Sequence, residues 1–138
     1  MNLACPEEAM TDQPGSAPTD YDKLMRANLA HVFNERDAVR RMAAIGELYA
    51  ADAVLFDPEG VAKGHAAISE AVTALLAQLP PSFVFSATGT AVGHHEVARL
   101  HWRSGPAEGP VAVTGTDVAH FENGRIRSLH VFLDPATR

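Results

Sequence analysis

Asp117 places a charge on the apolar side of an alternating segment. From Val111 to Phe121 the odd positions are Val111, Val113, Gly115, Asp117, Ala119 and Phe121, and the even ones are Ala112, Thr114, Thr116, Val118 and His120. A period of two is a strand with one apolar face. A carboxylate turned towards an apolar interior loses stability as an anion, finds a partner, or stays protonated with a raised pKa. Each outcome points to a pocket. A second carboxylate, Asp57, follows the apolar run Val54-Leu55-Phe56 and precedes Pro58, at the mouth end of a buried strand. Two carboxyls in one cavity can divide general acid and general base between them when their surroundings separate their pKa values. Each also has a purely structural role open to it: Asp57 as the starter of an Asp-Pro turn, Asp117 as a buried carboxylate satisfied by backbone amides or an arginine.

The other chemistry-bearing residues assemble less well. Seven histidines invite a metal site, above all His94-His95 with His101 nearby. Adjacent histidines on a strand or hairpin point to opposite faces, and no carboxylate or cysteine stands at a ligand spacing beside them, so no metal site is expected. His65 falls at the start of a helix, in a solvated setting. His120 and His130 fall opposite the apolar faces of their strands, as surface or interface residues. Arg99, His101 and Arg103 alternate with Ala98, Leu100 and Trp102. The apolar set is expected to face the cavity; a register slipped by one would turn the arginines inward instead. Gly60 and Gly64 do not form a phosphate-binding loop, and no Gly-x-Ser-x-Gly elbow occurs.

Composition limits the classes of partner. At 138 residues the chain fits one domain, and 46% hydrophobic with 20% charged residues is the balance of a globular protein. No apolar run approaches a bilayer span, so no membrane association is expected. A formal net charge of −6 with eleven scattered basic residues argues against nucleic acid. Cys5 has no intrachain partner. Leu3-Ala4-Cys5 is similar to a lipoprotein cleavage site, but no apolar segment precedes it, and a cytoplasmic location is expected. Residues 1–19, with Pro14-Gly15-Ser16-Ala17-Pro18, read as a flexible tail, and the domain as 20–138.

Helices precede strands along the chain. Thr19 or Asp20 can cap a helix carrying Tyr21, Met25, Leu29, Val32 and Phe33 on one stripe, ending near Asn34 to Arg36. Asp37 can cap a second, to Tyr49, with Ala38, Met42, Ile45 and Tyr49 on one side. Ala53–Phe56 reads as a short strand. A third helix runs from about His65 to Leu79, burying Ile68, Ala71, Val72, Leu75 and Leu79, and Pro80-Pro81 stops it. Alternation then takes over: Phe83–Val92 and Glu96–Arg103 as a hairpin across Gly93-His94-His95, then Val111–Glu122 and Arg125–Leu133 joined by Asn123-Gly124. This is an α+β order, a curved antiparallel sheet with three helices over one face enclosing a cavity open at one end.

Ile45 to Pro58 (IGELYAADAVLFDP), Gly64-His65-Ala66-Ala67-Ile68, Gly115-Thr116-Asp117 and Phe121-Glu122-Asn123-Gly124-Arg125-Ile126-Arg127-Ser128-Leu129 together resemble the nuclear-transport-factor-2-like superfamily, in its SnoaL-like and ketosteroid-isomerase-like branch. The resemblance runs from about residue 20 onward and implies a cone-shaped, cystatin-like α+β domain, a homodimer and an internal pocket. It sets Asp57 where steroid isomerases keep their catalytic base and Asp117 where they keep a protonated acid facing the substrate oxyanion. It also sets Leu29 at or near the place of their oxyanion-hole tyrosine and Val72 at that of a supporting tyrosine. Tyr21 lies two helical turns from Leu29, about 12 Å along the axis.

The preferred function from these residues is proton transfer on a small apolar carbonyl compound, polyketide-like, steroid-like or terpenoid, of isomerase or cyclase type. Asp57 is the base and Asp117 the acid, and no cofactor is needed. Phe33, Phe56, Leu100, Trp102, Val113 and Phe121 are the expected cavity walls, with Leu29 and Val72 at the two tyrosine places. The competing functions are a hydratase or epoxide hydrolase, with an inward Arg99 orienting Asp117, and a non-catalytic ligand-binding or dimerisation module.

Overall fold

The computed structural model describes residues 18–135. Cys5 and all but the last two residues of the expected tail lie outside the described residues. The first helix, α1, spans Tyr21–Asn28 and is capped by Asp20, whose side chain accepts from the Lys23 N–H at 3.0 Å. It then widens into a π turn, Leu29–Phe33, closed by a bond of 2.9 Å from the Asn34 N–H to the Leu29 carbonyl, five residues back. Helix α2, Ala38–Leu48, starts at Asp37, which accepts from the Val39 and Arg40 N–H groups. Strand β1, Tyr49–Asp57, follows without a loop and turns at Asp57-Pro58 into β2, Gly60–Lys63. Helix α3 is His65–Ala77. The remaining strands are β3 Phe83–Ala87, β4 Val92–His94, β5 Val97–Pro106, β6 Val113–Glu122 and β7 Arg125–Leu133.

All seven strands form one sheet in the order β2-β1-β7-β6-β5-β3, with β4 also paired to β5. Each pairing is antiparallel except β1 with β7, which is parallel and brings the helical half of the chain against its last strand. The α+β class and the three-helix cover are as expected. The sheet gains β2, four residues of partly exposed chain with no alternating signature, and β1 begins four residues before the expected Ala53. The expected hairpin arm from Phe83 to Val92 is broken into β3 and β4. The Asn123-Gly124 turn has φ of 55° and 78°, the left-handed pair a two-residue hairpin demands.

Two polar clamps join helices to sheet and to each other. Arg41, 1% exposed, donates from Nε to Ser69 Oγ at 3.1 Å, and its guanidinium also bonds the Glu35 carbonyl and the Thr73 hydroxyl, locking α2 to α3. Its surroundings hold its pKa below the usual value through desolvation. His65 is half-buried rather than solvated: its Nε2 lies 3.2 and 2.9 Å from the carbonyls of Tyr49 and Ala50, so Nε2 carries the proton. The start of α3 is thereby tied to the start of β1. Among the described residues no helix is long and apolar enough to cross a membrane.

Candidate functional site

The concave face of the sheet is filled at one end and hollow at the other. On β5 the buried row is Ala98, Leu100, Trp102 and Ser104; on β6 it is Gly115, Asp117, Ala119 and Phe121. Leu100, Ala119 and Phe121 sit among packed side chains, with the Tyr21 ring 5.3 Å from that of Phe121. Asp117 stands opposite Leu100 on the neighbouring strand, at the border between the packed end and a cavity of ≈ 440 Å³. That volume falls in the range of about 300–1,000 Å³ usual for small-molecule sites. The cavity runs from Asp117 towards the Asp57-Pro58 turn, under the C-terminal half of α3.

Asp117 is 3% exposed, and among the described residues its one hydrogen bond comes from Trp102 Nε1 to Oδ1 at 2.9 Å. Burial raises its pKa to about 7, against which the Trp102 bond pulls downward. A carboxylic acid near neutrality is the outcome, able to donate a proton or a hydrogen bond into the cavity. Gly115 makes this geometry reachable. A Cβ there would meet the Phe132 carbonyl oxygen at 2.5 Å and overlap the six-membered ring of Trp102. The indole lies where a side chain would otherwise be. Deeper in, the Tyr49 hydroxyl donates to Asn28 Oδ1 at 2.6 Å; both residues are buried, and desolvation first, then the Asp117 charge, holds the phenol well above its usual pKa.

Asp57 lines the same cavity from its open side. Its Oδ1 accepts from the Glu59 and Gly60 N–H groups at 2.8 and 3.0 Å, so the turn-starting role is real. Among the described residues no hydrogen bond reaches Oδ2, which leaves that oxygen free for other work. Register fixes the relation between the two carboxyls. Phe56 pairs with His130, the next step sets Asp57 beside Val131, and Val131 pairs with Asp117. Asp57, Val131 and Asp117 therefore form a row across three adjacent strands, and all three line the cavity. Two strand spacings put the outer pair about 10 Å apart at Cα.

Of the expected walls, Leu29, Phe33, Trp102 and Val113 line the cavity. Val72, Leu100 and Phe121 do not: each is fully packed in the closed part of the core, because alternation reveals a residue's face but not its depth. Phe56 faces away. With Leu55 and Asp57 inward, the pleat sends Phe56 to the outer surface, where its ring stacks on His130 at 4.4 Å. Walls not expected from the sequence include Leu55, Ala62, Leu75, Phe85, Ser104, Val131 and Leu133. Inward Leu55 was legible in its two-residue offset from Asp57, and Val131 and Leu133 in their alternation on β7.

Arg99 and Arg103 are exposed on the opposite face, so Arg99 does not orient Asp117 and the hydratase arrangement is not formed. His94 and His95 differ from expectation. His95 has φ of 50° and Glu96 of 69°, and this turn brings the two Nδ1 atoms within 2.8 Å instead of parting the rings. The Tyr21 hydroxyl holds the turn by accepting from the Glu96 N–H at 2.9 Å. It is thus committed far from the cavity.

The profile of the SnoaL-like domain matches residues 26–129. No curated protein matches. Among solved structures, a SnoaL-like family protein of Agrobacterium tumefaciens named as a candidate isomerase is 30% identical, with 82% of this chain and 96% of that one covered at a TM-score of 0.76. A candidate polyketide cyclase of Sinorhizobium meliloti is 20% identical over 79% of this chain and 93% of its own, with a TM-score of 0.61. A candidate ketosteroid isomerase of Kribbella flavida is 15% identical over 85% and 79%, at 0.63. The last two share the fold, which other neighbours carry under the description cystatin-like. With the matched profile spanning most of the domain and the Agrobacterium protein agreeing over nearly its whole length, the chain belongs to the SnoaL-like family and has the nuclear-transport-factor-2-like fold.

Proposed function

We propose that the chain binds a small, largely apolar carbonyl compound in the cavity and transfers a proton on it, as an isomerase or cyclase does. The observation that carries this is the row Asp57, Val131, Asp117 on one concave face. Asp57 Oδ2 takes a proton from carbon next to the carbonyl while the protonated Asp117 donates a hydrogen bond to the carbonyl oxygen as negative charge develops there. Val131 between them gives the substrate an apolar bed and keeps the carboxyls from bonding each other. Abstraction and return of a proton balance without a cofactor.

Leu29 lines the cavity at the place the family resemblance gives to a tyrosine, so oxyanion stabilisation rests on Asp117. A missing donor of this kind is worth about 2.7–4 kcal/mol. That favours a carbon acid already activated by a second carbonyl or by conjugation, as in polyketide-type compounds. The test is conjugation of a bicyclic β,γ-unsaturated ketone. Wild type is expected to turn it over and Asp57→Asn to fall to the buffer rate; equal rates for the two proteins would remove Asp57 as base. Binding of the ketone without turnover by wild type would make the domain a ligand carrier.

The homodimer belongs to the same proposal. Phe56, His130 and Phe132 stack in a column on the outer sheet face, His130 4.4 Å from Phe56 and 6.4 Å from Phe132, and Phe132 is 54% exposed. An exposed aromatic column of this kind supports an interface between copies. Sedimentation should show a dimer for wild type and a monomer for Phe132→Asp; an unchanged sedimentation coefficient would place any dimer elsewhere.

A further inference from the structure

Ser104, Glu59 and Gln78 are polar residues of the cavity wall with no part in the proton transfer, and of these Ser104 is the buried one. Ser104 lies on β5 two residues beyond Trp102, hence on the same face, opposite Val113 on β6 and Phe85 on β3. It lines the cavity and is 3% exposed. Its Oγ is, among the described residues, the one buried side-chain nitrogen or oxygen with no hydrogen-bond partner. An unpaired buried hydroxyl lowers stability relative to alanine, so packing alone gives no reason for it.

Its position relative to Asp117 has a consequence for ligand shape. Val113, the partner of Ser104, is four positions from Asp117 on β6, about 13 Å along the strand. Trp102 occupies the interval: its backbone is two residues from Ser104, and its Nε1 reaches Asp117. Phe85 stands edge-on to the indole at 5.4 Å. The wall between the two polar groups is therefore aromatic.

The geometry points to Ser104 as the specificity-determining hydrogen-bond partner for the far end of the ligand. The cavity takes an elongated apolar molecule with an oxygen at each end, one received by Asp117 and the other by Ser104. This rests on the cavity being the small-molecule site proposed above and adds to it the second oxygen and its distance. The hydroxyl both donates and accepts, so either a ketone or an alcohol satisfies it.

Two rigid phenols test this, 4,4′-biphenol with an oxygen at each end and 4-phenylphenol with one, titrated against the fluorescence of Trp102, the single tryptophan. Wild type should prefer the diol by about fivefold to tenfold. In Ser104→Ala the ratio should fall to about one while the thermal midpoint stays the same or rises, the reverse of what a structural hydroxyl would give. A preference that survives in Ser104→Ala, a wild-type ratio near one, or a lowered midpoint in the variant overturns the role of Ser104 and leaves the cavity standing as a binding site. Failure of both phenols to bind wild type overturns the cavity itself, and Ser104 with it.

Discussion

Asp117→Asn is expected to raise the thermal midpoint at pH 8 by about 10 °C while leaving it nearly unchanged at pH 4. The carboxyl has a pKa of about 7 in the folded chain against 3.8 for the free group, chiefly because burial disfavours its anion. Between those two values the folded state holds a proton that the unfolded state has lost. Stability from this group is thus complete below about pH 4, declines as pH rises, and has fully gone once pH passes about 7. The difference amounts to about 4 kcal/mol. Asparagine keeps the oxygen that accepts from Trp102 Nε1 and has no charge to bury, so its stability should be flat over the same range. Thermal melts of both proteins from pH 4 to pH 8 decide the matter. Parallel curves would mean that Asp117 is ionised and satisfied in the folded chain, which would also remove it as an acid.

Gly115→Ala is expected to destabilise the domain by about 3 kcal/mol and to shift the emission of Trp102 to longer wavelength. The added methyl meets the Phe132 carbonyl oxygen, which belongs to a paired strand and cannot retreat, so the indole must move. Moving it breaks the bond to Asp117. Since that bond is what holds the carboxyl's pKa down against burial, the acid should become harder to ionise in the variant. Urea unfolding and fluorescence titration report both effects. Wild-type stability together with an unshifted emission would show that Gly115 has another purpose.

These expectations rest on features that differ in how far the sequence displays them. Asp20 and Asp37 as caps, the Asn123-Gly124 turn and the inward side of β6 follow from local rules: a short acceptor before a helical stripe, a pair tolerant of positive φ, a period of two. Asp117 was conspicuous for the same reason. Phe56 was misplaced because the run Val54-Leu55-Phe56 is apolar throughout, and only the inward placement of Asp57 settles its parity. Val72, Leu100 and Phe121 share their faces with true cavity residues; whether such a residue meets filled or empty space depends on what the opposite helix brings, which no single segment encodes. The role of Gly115 is of that kind too, since its contact is a ring on another strand thirteen residues away. The tie from His65 to the Tyr49 and Ala50 carbonyls is likewise visible only once α3 and β1 are side by side.

The wide turn at Leu29–Phe33 also changes how this chain is compared with its relatives. A π turn is a regular helix carrying one extra residue, absorbed without an added loop. A residue count carried across such a turn comes out one position different from a count along a regular helix. The count back from Asp57 that sets Leu29 at or near the tyrosine place implied by the resemblance runs through this segment. One step away is Asn28, buried and bonded to the Tyr49 hydroxyl. Those two groups, an amide from α1 and a phenol from β1, satisfy each other inside the closed core, and neither lines the cavity.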